Sequence, residues 1–474
     1  MPEELSPADR SSLAAERGPV NMAVGGLLVF EPEPPLTRAI VAQRIGERIH
    51  LIPRLRQRLE EPPLGLANPV WTDDTGFDLD WHVRQASLPQ PGGDAELGTF
   101  VGREFSHRLD RSRPLWEATL IEGLSGGRQG LLMKVHHALV DGMAAIGLAA
   151  LVLDPTREPL EIEPEPSTWE PQPYDARRHV ARLASRPLSR APRLMLDGMV
   201  RALDPDPRRA ATDMRRATEV ALELARTRPS APMTPLNRPI SPNRRYALAT
   251  GDLAAVKRAG RAAGATVNDT LLAVVAGMLG RYLAHDADWP AGDPDARRPV
   301  ALVPVSVRPT PTGGETGNHI STVFVDLPVF EPDLTERIRA VAAQTSRLKE
   351  SAAVRAGALM VGASGWAPPL VSGLLARTMG SVRAFNVVVS NIPGPQQPFY
   401  LSGVRLSGVH PVVPLNPANQ GLTVGIISYD GRLCFGLLAD RDLDPPLSIA
   451  ADGLRATLAE LNEPEPREHP SSDR

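Results

Sequence analysis

The residues best suited to chemistry are two adjacent histidines followed by an aspartate, in His136-His137-Ala138-Leu139-Val140-Asp141-Gly142. An apolar run ends at this segment and a helical pattern begins after it. Successive side chains on a strand point to opposite faces, so His136 and His137 cannot share one task. One can face a substrate while the other packs or hydrogen-bonds beneath it. An imidazole with its ordinary pKa of about 6.5 is neutral at pH 7 and can accept a proton. Asp141 stands near the start of the next helix, where its carboxylate can cap that helix or pair with an arginine. Gly142 allows close packing. Two other readings compete, a purely structural histidine pair and a His-His-Asp metal site. Diverging side chains, and no other His/Asp/Glu cluster spaced to complete the set, argue against the second, so no metal is expected.

Other motifs carry less. Gly123-Leu124-Ser125-Gly126-Gly127 formally fits GxSxG, but a nucleophile elbow needs a strand before it and a helix after it. Strand patterns flank it on both sides, which makes it a hairpin turn. There is no Walker A sequence, HExxH or convincing dinucleotide fingerprint. The single cysteine, Cys434, excludes a disulfide or a cysteine-rich zinc site within one chain. It lies in an apolar strand and is expected to be buried and inert. The spacing places no serine or cysteine nucleophile beside His137.

These residues need a scaffold. Apolar runs at residues 20–30, 115–121 and 131–136 read as strands. Residues 36–59 read as a helix bent or divided at Pro53, and residues 142–153 as a helix stopped by Asp154-Pro155. Residues 155–173 are rich in Pro and Glu, as an exposed linker would be. Residues 177–228 are rich in Ala and Arg with helical spacing; the arginines suit a solvated face, or contact with lipid or coenzyme A phosphates. Globular texture returns after Arg244. Residues 253–263 and 268–283 read as helices, the second apolar on nearly all sides and therefore buried. Strands are expected at 300–307, 321–327, 387–389, 404–406, 422–428 and 433–438. Residues 340–379 read as an unusually apolar helical stretch broken at Pro368-Pro369.

The economical fold is mixed α/β, with two lobes around a linker. The boundaries expected are 1–154, 155–240 and 241–462, with 463–474 a disordered tail. A formal net charge of −3, with acids and bases interspersed, gives no field that would gather nucleic acid. Residues 1–19 lack the basic start and apolar core of a signal peptide, and no run of about 18 apolar residues occurs. A cytoplasmic protein is expected, with a peripheral membrane role open.

The chain resembles the bacterial wax ester synthase/acyl-CoA:diacylglycerol acyltransferase family. The resemblance rests on Arg113-Pro114-Leu115-Trp116-Glu117, the histidine motif, Val267-Asn268-Asp269-Thr270-Leu271-Leu272-Ala273 and Val303-Pro304-Val305-Ser306-Val307-Arg308. It continues in Gly317-Asn318, Ser390-Asn391-Ile392-Pro393-Gly394-Pro395 and Ser428-Tyr429-Asp430-Gly431, in the family's order. It implies a pseudo-dimer of two chloramphenicol-acetyltransferase-like lobes with a channel between them. It implies His137 as the base and an Asp141 that points away from substrate toward an arginine, with Arg56 and Arg308 the two candidates. Asn268 would approach the site from the second lobe, or cap its helix, or both. The resemblance also shows departures. Ser6, Asp9, Leu13 and Glu16 fit the usual opening segment, but Ser12 stands where an aromatic is usual. Ala23 stands where Met-His-x-Gly is common, and both positions are expected to line the channel.

The reaction so implied moves a long-chain acyl group from acyl-CoA, a substrate rather than a bound cofactor, to diacylglycerol. The acceptor alternatives are a long-chain fatty alcohol, or a carrier-protein reaction of the condensation type; a non-catalytic lipid-binding relative is the remaining one. Direct transfer through a ternary complex is expected, at a membrane or lipid-droplet surface that residues 340–379 and Arg377 and Arg383 could meet.

Overall fold

The computed structural model describes residues 3–61, 69–139, 151–165, 169–175, 231–287, 289, 298–306, 320–350, 384–415 and 420–462. In the first half they form β1 (Glu3–Glu4), α1 (Pro7–Ala15), β2 (Ala23–Phe30), α2 (Arg38–Arg48), β3 (Gln57–Glu60) and β4 (Val70–Asp73). There follow α3 (Leu79–His82), β5 (Val83–Ser87), α4 (Asp94–Glu104), β6 (Trp116–Glu122) and β7 (Gln129–His136). The second half holds β8 (Arg244–Asp252), α5 (Leu253–Ala262), α6 (Val267–Leu283), β9 (Val300–Ser306), β10 (Ile320–Asp326) and α7 (Leu334–Glu350). It ends with β11 (Val387–Pro393), β12 (Tyr400–Leu401), β13 (Val404–Val412), β14 (Leu422–Tyr429), β15 (Arg432–Asp440) and α8 (Leu447–Glu460).

Two six-stranded mixed sheets organise the chain. One has the order β12-β13-β2-β7-β6-β5 and the other β10-β9-β11-β14-β15-β8. The expected mixed α/β class and its strands are present, several of them longer than the apolar runs alone indicated. The helix expected over residues 36–59 is a correction. It ends at Arg48, and short 3-10 turns at Ile49–Leu51 and Pro53–Arg56 lead into β3. Pro53 has no N–H to continue an α-helical ladder, and it sits at the first turn of the second 3-10 segment. Helix α6 is buried along most of its length, as its apolar circumference required. Thr266 caps it and Asp269 completes the capping box, so the cap is Thr266 and not Asn268.

The sheets do not respect the division of the sequence. Strands β12 and β13 come from the C-terminal half, yet β13 pairs antiparallel with β2 of the first sheet, His410 opposite Leu27. From that position β13 also grips the second sheet. Tyr246 Oη donates to the Pro411 carbonyl at 3.1 Å, and His410 Nδ1 donates to the Phe435 carbonyl at 3.0 Å. The approach is close enough that a Cβ at Gly436 would overlap the Pro411 carbonyl oxygen. At the other edge of the contact, the Arg244 N–H donates to Ser106 Oγ at 2.8 Å, and its guanidinium donates to the Pro19 carbonyl at 2.6 Å.

The linker's first part lies along the first lobe. Asp154, 1% exposed, accepts from Arg44 at 2.8 Å and from Arg48, while Arg48 also donates to the Leu153 carbonyl. Residues 142–150, 177–228 and 351–379 lie outside the described residues, so the expectations placed on them do too. Among the described residues no single helix is long and apolar enough to cross a membrane.

Removing Asp154 leaves two arginines buried against one another. Losing one partner of a buried ion pair costs about 3–5 kcal/mol. Asp154→Ala therefore lowers the unfolding free energy measured in urea by an amount in that range, and an unchanged value would contradict the packing described.

Candidate active site

Strand β7 ends at His136, and the next residue begins the site. His136 is 1% exposed and His137 is open to solvent, the alternation expected of consecutive side chains. The His137 N–H donates to the Met22 carbonyl at 2.9 Å, which extends the β2–β7 pairing by one residue and fixes where the ring emerges.

Below the sheet, His136 is held in one tautomer. The Ala138 N–H donates to its Nδ1 at 3.0 Å, so the ring proton sits on Nε2. Nε2 faces Glu16 Oε1 at 3.5 Å. Glu16 is the hub of this layer. Oε1 also accepts from the Met22 N–H at 3.1 Å, and Oε2 accepts from Arg111 at 2.9 Å. Burial alone would raise the Glu16 carboxyl; His136, the Met22 N–H and Arg111 outweigh it and bring the pKa from 4.5 to about 2. Lys134, on the same face as His136, donates to the Glu104 and His107 carbonyls at 2.8 and 2.7 Å. Its cross-strand partner Gly25 has no room for a Cβ, which would overlap the Met133 carbonyl oxygen.

Above the sheet, protein around the His137 ring lowers its pKa below 6.5 by desolvation, and His136 adds to the effect. Its own main chain and the charge of Asp9 act in the opposite sense without reversing it. The imidazole is therefore neutral at pH 7 and able to take a proton. Ser12 Oγ lies 3.4 Å from His137 Nδ1. A serine therefore stands beside His137, which the spacing did not reveal. Ser12 belongs to α1, which Ser6 and Asp9 close with a capping box. Spacing could not show this contact, because 125 residues separate the two partners.

The other expected site residues divide. Ala23 pairs directly with His136 and is 2% exposed, so it packs under the sheet and does not line the face that carries His137. Arg56 is 6% exposed; Glu165 accepts two hydrogen bonds from it, at 2.9 and 2.8 Å, and Trp169 stacks on its guanidinium at 4.5 Å. Asp141, its expected partner, lies outside the described residues, as do Gly142 and Arg308. Asn268 Oδ1 accepts from Asn391 Nδ2 at 3.3 Å, joining two of the sequence motifs. Trp116 is structural, its indole N–H donating to the Leu55 carbonyl at 2.8 Å. Cys434 is buried and its thiol pKa raised by desolvation. Among the described residues no group of three or more His, Cys, Asp or Glu side chains is placed to hold a metal.

The fold is shared with synthetase condensation domains: the first condensation domain of the CDA synthetase superposes with a TM-score of 0.55 at 17% identity, covering 98% of this chain and 97% of that one. The sequence is narrower. The family model for the wax ester synthase/diacylglycerol acyltransferase catalytic domain matches residues 5–271, and that for the WS/DGAT C-terminal domain matches residues 316–462. The chain belongs to this family and is an acyltransferase. A wax ester synthase/diacylglycerol acyltransferase from Marinobacter aquaeolei VT8 superposes with a TM-score of 0.67 at 29% identity, covering 97% of this chain and 98% of that one. A protein named a probable diacylglycerol O-acyltransferase from Mycobacterium tuberculosis is 31% identical over 469 residues, 97% of this chain and 98% of the relative. A second of that description from the same organism is 31% identical over 446 residues, 93% of this chain and 91% of the relative.

The Glu16 hub has a pH signature. A carboxyl whose pKa falls on folding stabilises the fold above its unfolded value and loses that contribution as pH drops through the folded one. The contribution of Glu16 is full above pH 4.5 and is lost between 4.5 and about 2. The melting temperature of Glu16→Gln should lie below wild type at neutral pH, with the gap closing across that window. A gap independent of pH would show that the carboxylate charge is not what the layer uses.

Proposed function

We propose that the enzyme moves a long-chain acyl group from acyl-CoA to the free hydroxyl of diacylglycerol, releasing triacylglycerol and coenzyme A, with His137 as general base. The observation that carries this reading is the split at the end of β7, which leaves one neutral imidazole open to substrate above a buried, fixed one. The choice of acceptor is supported by the printed names of the mycobacterial relatives. The name shared with the Marinobacter enzyme keeps a long-chain fatty alcohol as the second acceptor to test.

In this mechanism His137 Nε2 takes the acceptor's hydroxyl proton as its oxygen attacks the thioester carbonyl. The carbonyl oxygen becomes an oxyanion, for which the Asn268 amide is the candidate donor: Asn391 engages its Oδ1, leaving Nδ2–H to point elsewhere. The C–S bond then breaks, and the imidazolium returns its proton to the departing thiolate. The chemistry needs no metal or bound cofactor. Both substrates are present at once, and exclusion of water protects the thioester. The acceptor is insoluble in water, so the enzyme works at a lipid surface.

His137→Ala should lower turnover by at least about a hundredfold, within the range for loss of a general base, while circular dichroism and melting temperature stay near wild type. Retention of more than roughly a tenth of wild-type turnover would remove His137 from the base role. With both acceptors at matched concentration, the wild-type enzyme should form more triacylglycerol than wax ester; the reverse ratio would reassign the acceptor.

A further inference from the structure

We infer that Ser12 is a positioning residue for His137, its hydroxyl oxygen accepting the Nδ1 proton and holding the ring in the tautomer that leaves Nε2 open. The inference rests on the reading of His137 as base and adds how that base is kept in its working form.

Two observations and the proposed chemistry lead to it. Ser12 Oγ is 3.4 Å from Nδ1, the ring nitrogen nearer the backbone. The proposed reaction uses Nε2 as the base, and a neutral imidazole with Nε2 unprotonated carries its proton on Nδ1. In that form the Nδ1–H meets Ser12 Oγ, and the serine acts as acceptor. Finally, the serine is placed by the same device that orients the strand end. Helix α1 is closed by its Ser6–Asp9 capping box, and just beyond its C-terminus Glu16 binds the Met22 N–H, whose carbonyl in turn holds the His137 N–H.

The geometry also separates two roles for a serine beside a histidine. A nucleophile hands its proton to the ring, which requires an unprotonated nitrogen facing it. With the proton on Nδ1 the ring cannot take the Ser12 proton, so this tautomer keeps transfer from thioester to acceptor direct. The charged and titratable groups acting on the ring are His136 below it, which disfavours the imidazolium, and Asp9 on α1, which favours it.

The test is long-range proton–nitrogen NMR on protein labelled with 15N-histidine, at pH 7.5, with the His137 signals assigned by their loss in His137→Asn. Wild type should show His137 protonated at Nδ1. Ser12→Ala should show a mixture with the Nε2–H form and a kcat about three- to tenfold lower, the worth of one hydrogen bond. Its KM for acyl-CoA and its melting temperature should be unchanged. Ser12→Thr, which keeps the hydroxyl, should restore both the tautomer and kcat. An unaltered tautomer in Ser12→Ala would overturn the proposal. So would an acyl group found on Ser12 by mass spectrometry after mixing wild type with palmitoyl-CoA alone, because the serine would then be a nucleophile. Failure of the underlying reading is a different result: an active His137→Ala enzyme, whatever the tautomer.

Discussion

A single buried carboxylate holds the end of β7 and the start of β2 together. Glu16 sits under the first sheet and meets three partners: the imidazole of His136, the main-chain N–H of Met22 and the guanidinium of Arg111. Each reaches a different part of the scaffold. Met22 leads into β2, His136 ends β7, and Arg111 lies on the approach to β6. A charge removed from water is costly unless it is fully engaged, so Glu16 draws these segments to one point. The Met22 carbonyl then takes the His137 N–H, and the neighbouring histidine has one direction left in which to go. The His137 ring is thus aimed from beneath, by groups on the other face of the sheet.

The second constraint is the crossing of β13. A strand from the C-terminal half closes against β2, the same strand that pairs with β7 up to His136. Tyr246 and His410 tie that crossing to the second sheet through main-chain carbonyls. Both rings are buried, and desolvation raises the pKa of the one and lowers that of the other, so each remains a neutral hydrogen-bonding group. The two lobes are therefore coupled by backbone pairing and close packing as well as by chain connection. The position of β2, and with it the carbonyl that holds His137, depends on both halves of the protein.

What could be read from the sequence was local. The strand-end alternation of His136 and His137 follows from a period of two, and the burial of α6 from its apolar circumference. The turn at Ser125–Gly127 followed from strands on both sides. Contacts between distant residues could not be read. Nothing in the spacing joins Ser12 to His137, Glu16 to His136, or Arg56 to Glu165, pairs more than a hundred residues apart. The apolar pattern of residues 404–406 announced a buried strand but not which sheet would take it. Ala23 was misplaced for a related reason. Its register against His136, which sets its face, is a property of the pairing and not of its own neighbours. The helix expected over residues 36–59 failed where Pro53 and the turn before it redirect the chain toward β3.

The pH dependence of kcat/KM in the wild-type enzyme most directly examines whether His137 acts as a neutral base. With acyl-CoA and diacylglycerol as substrates, kcat/KM should fall on the acid side through a single ionisation whose apparent pKa lies below 6.5, the direction in which burial moves His137. A rate that already falls with an apparent pKa above 6.5, or that shows no acid limb down to the pH where the protein unfolds, would contradict it.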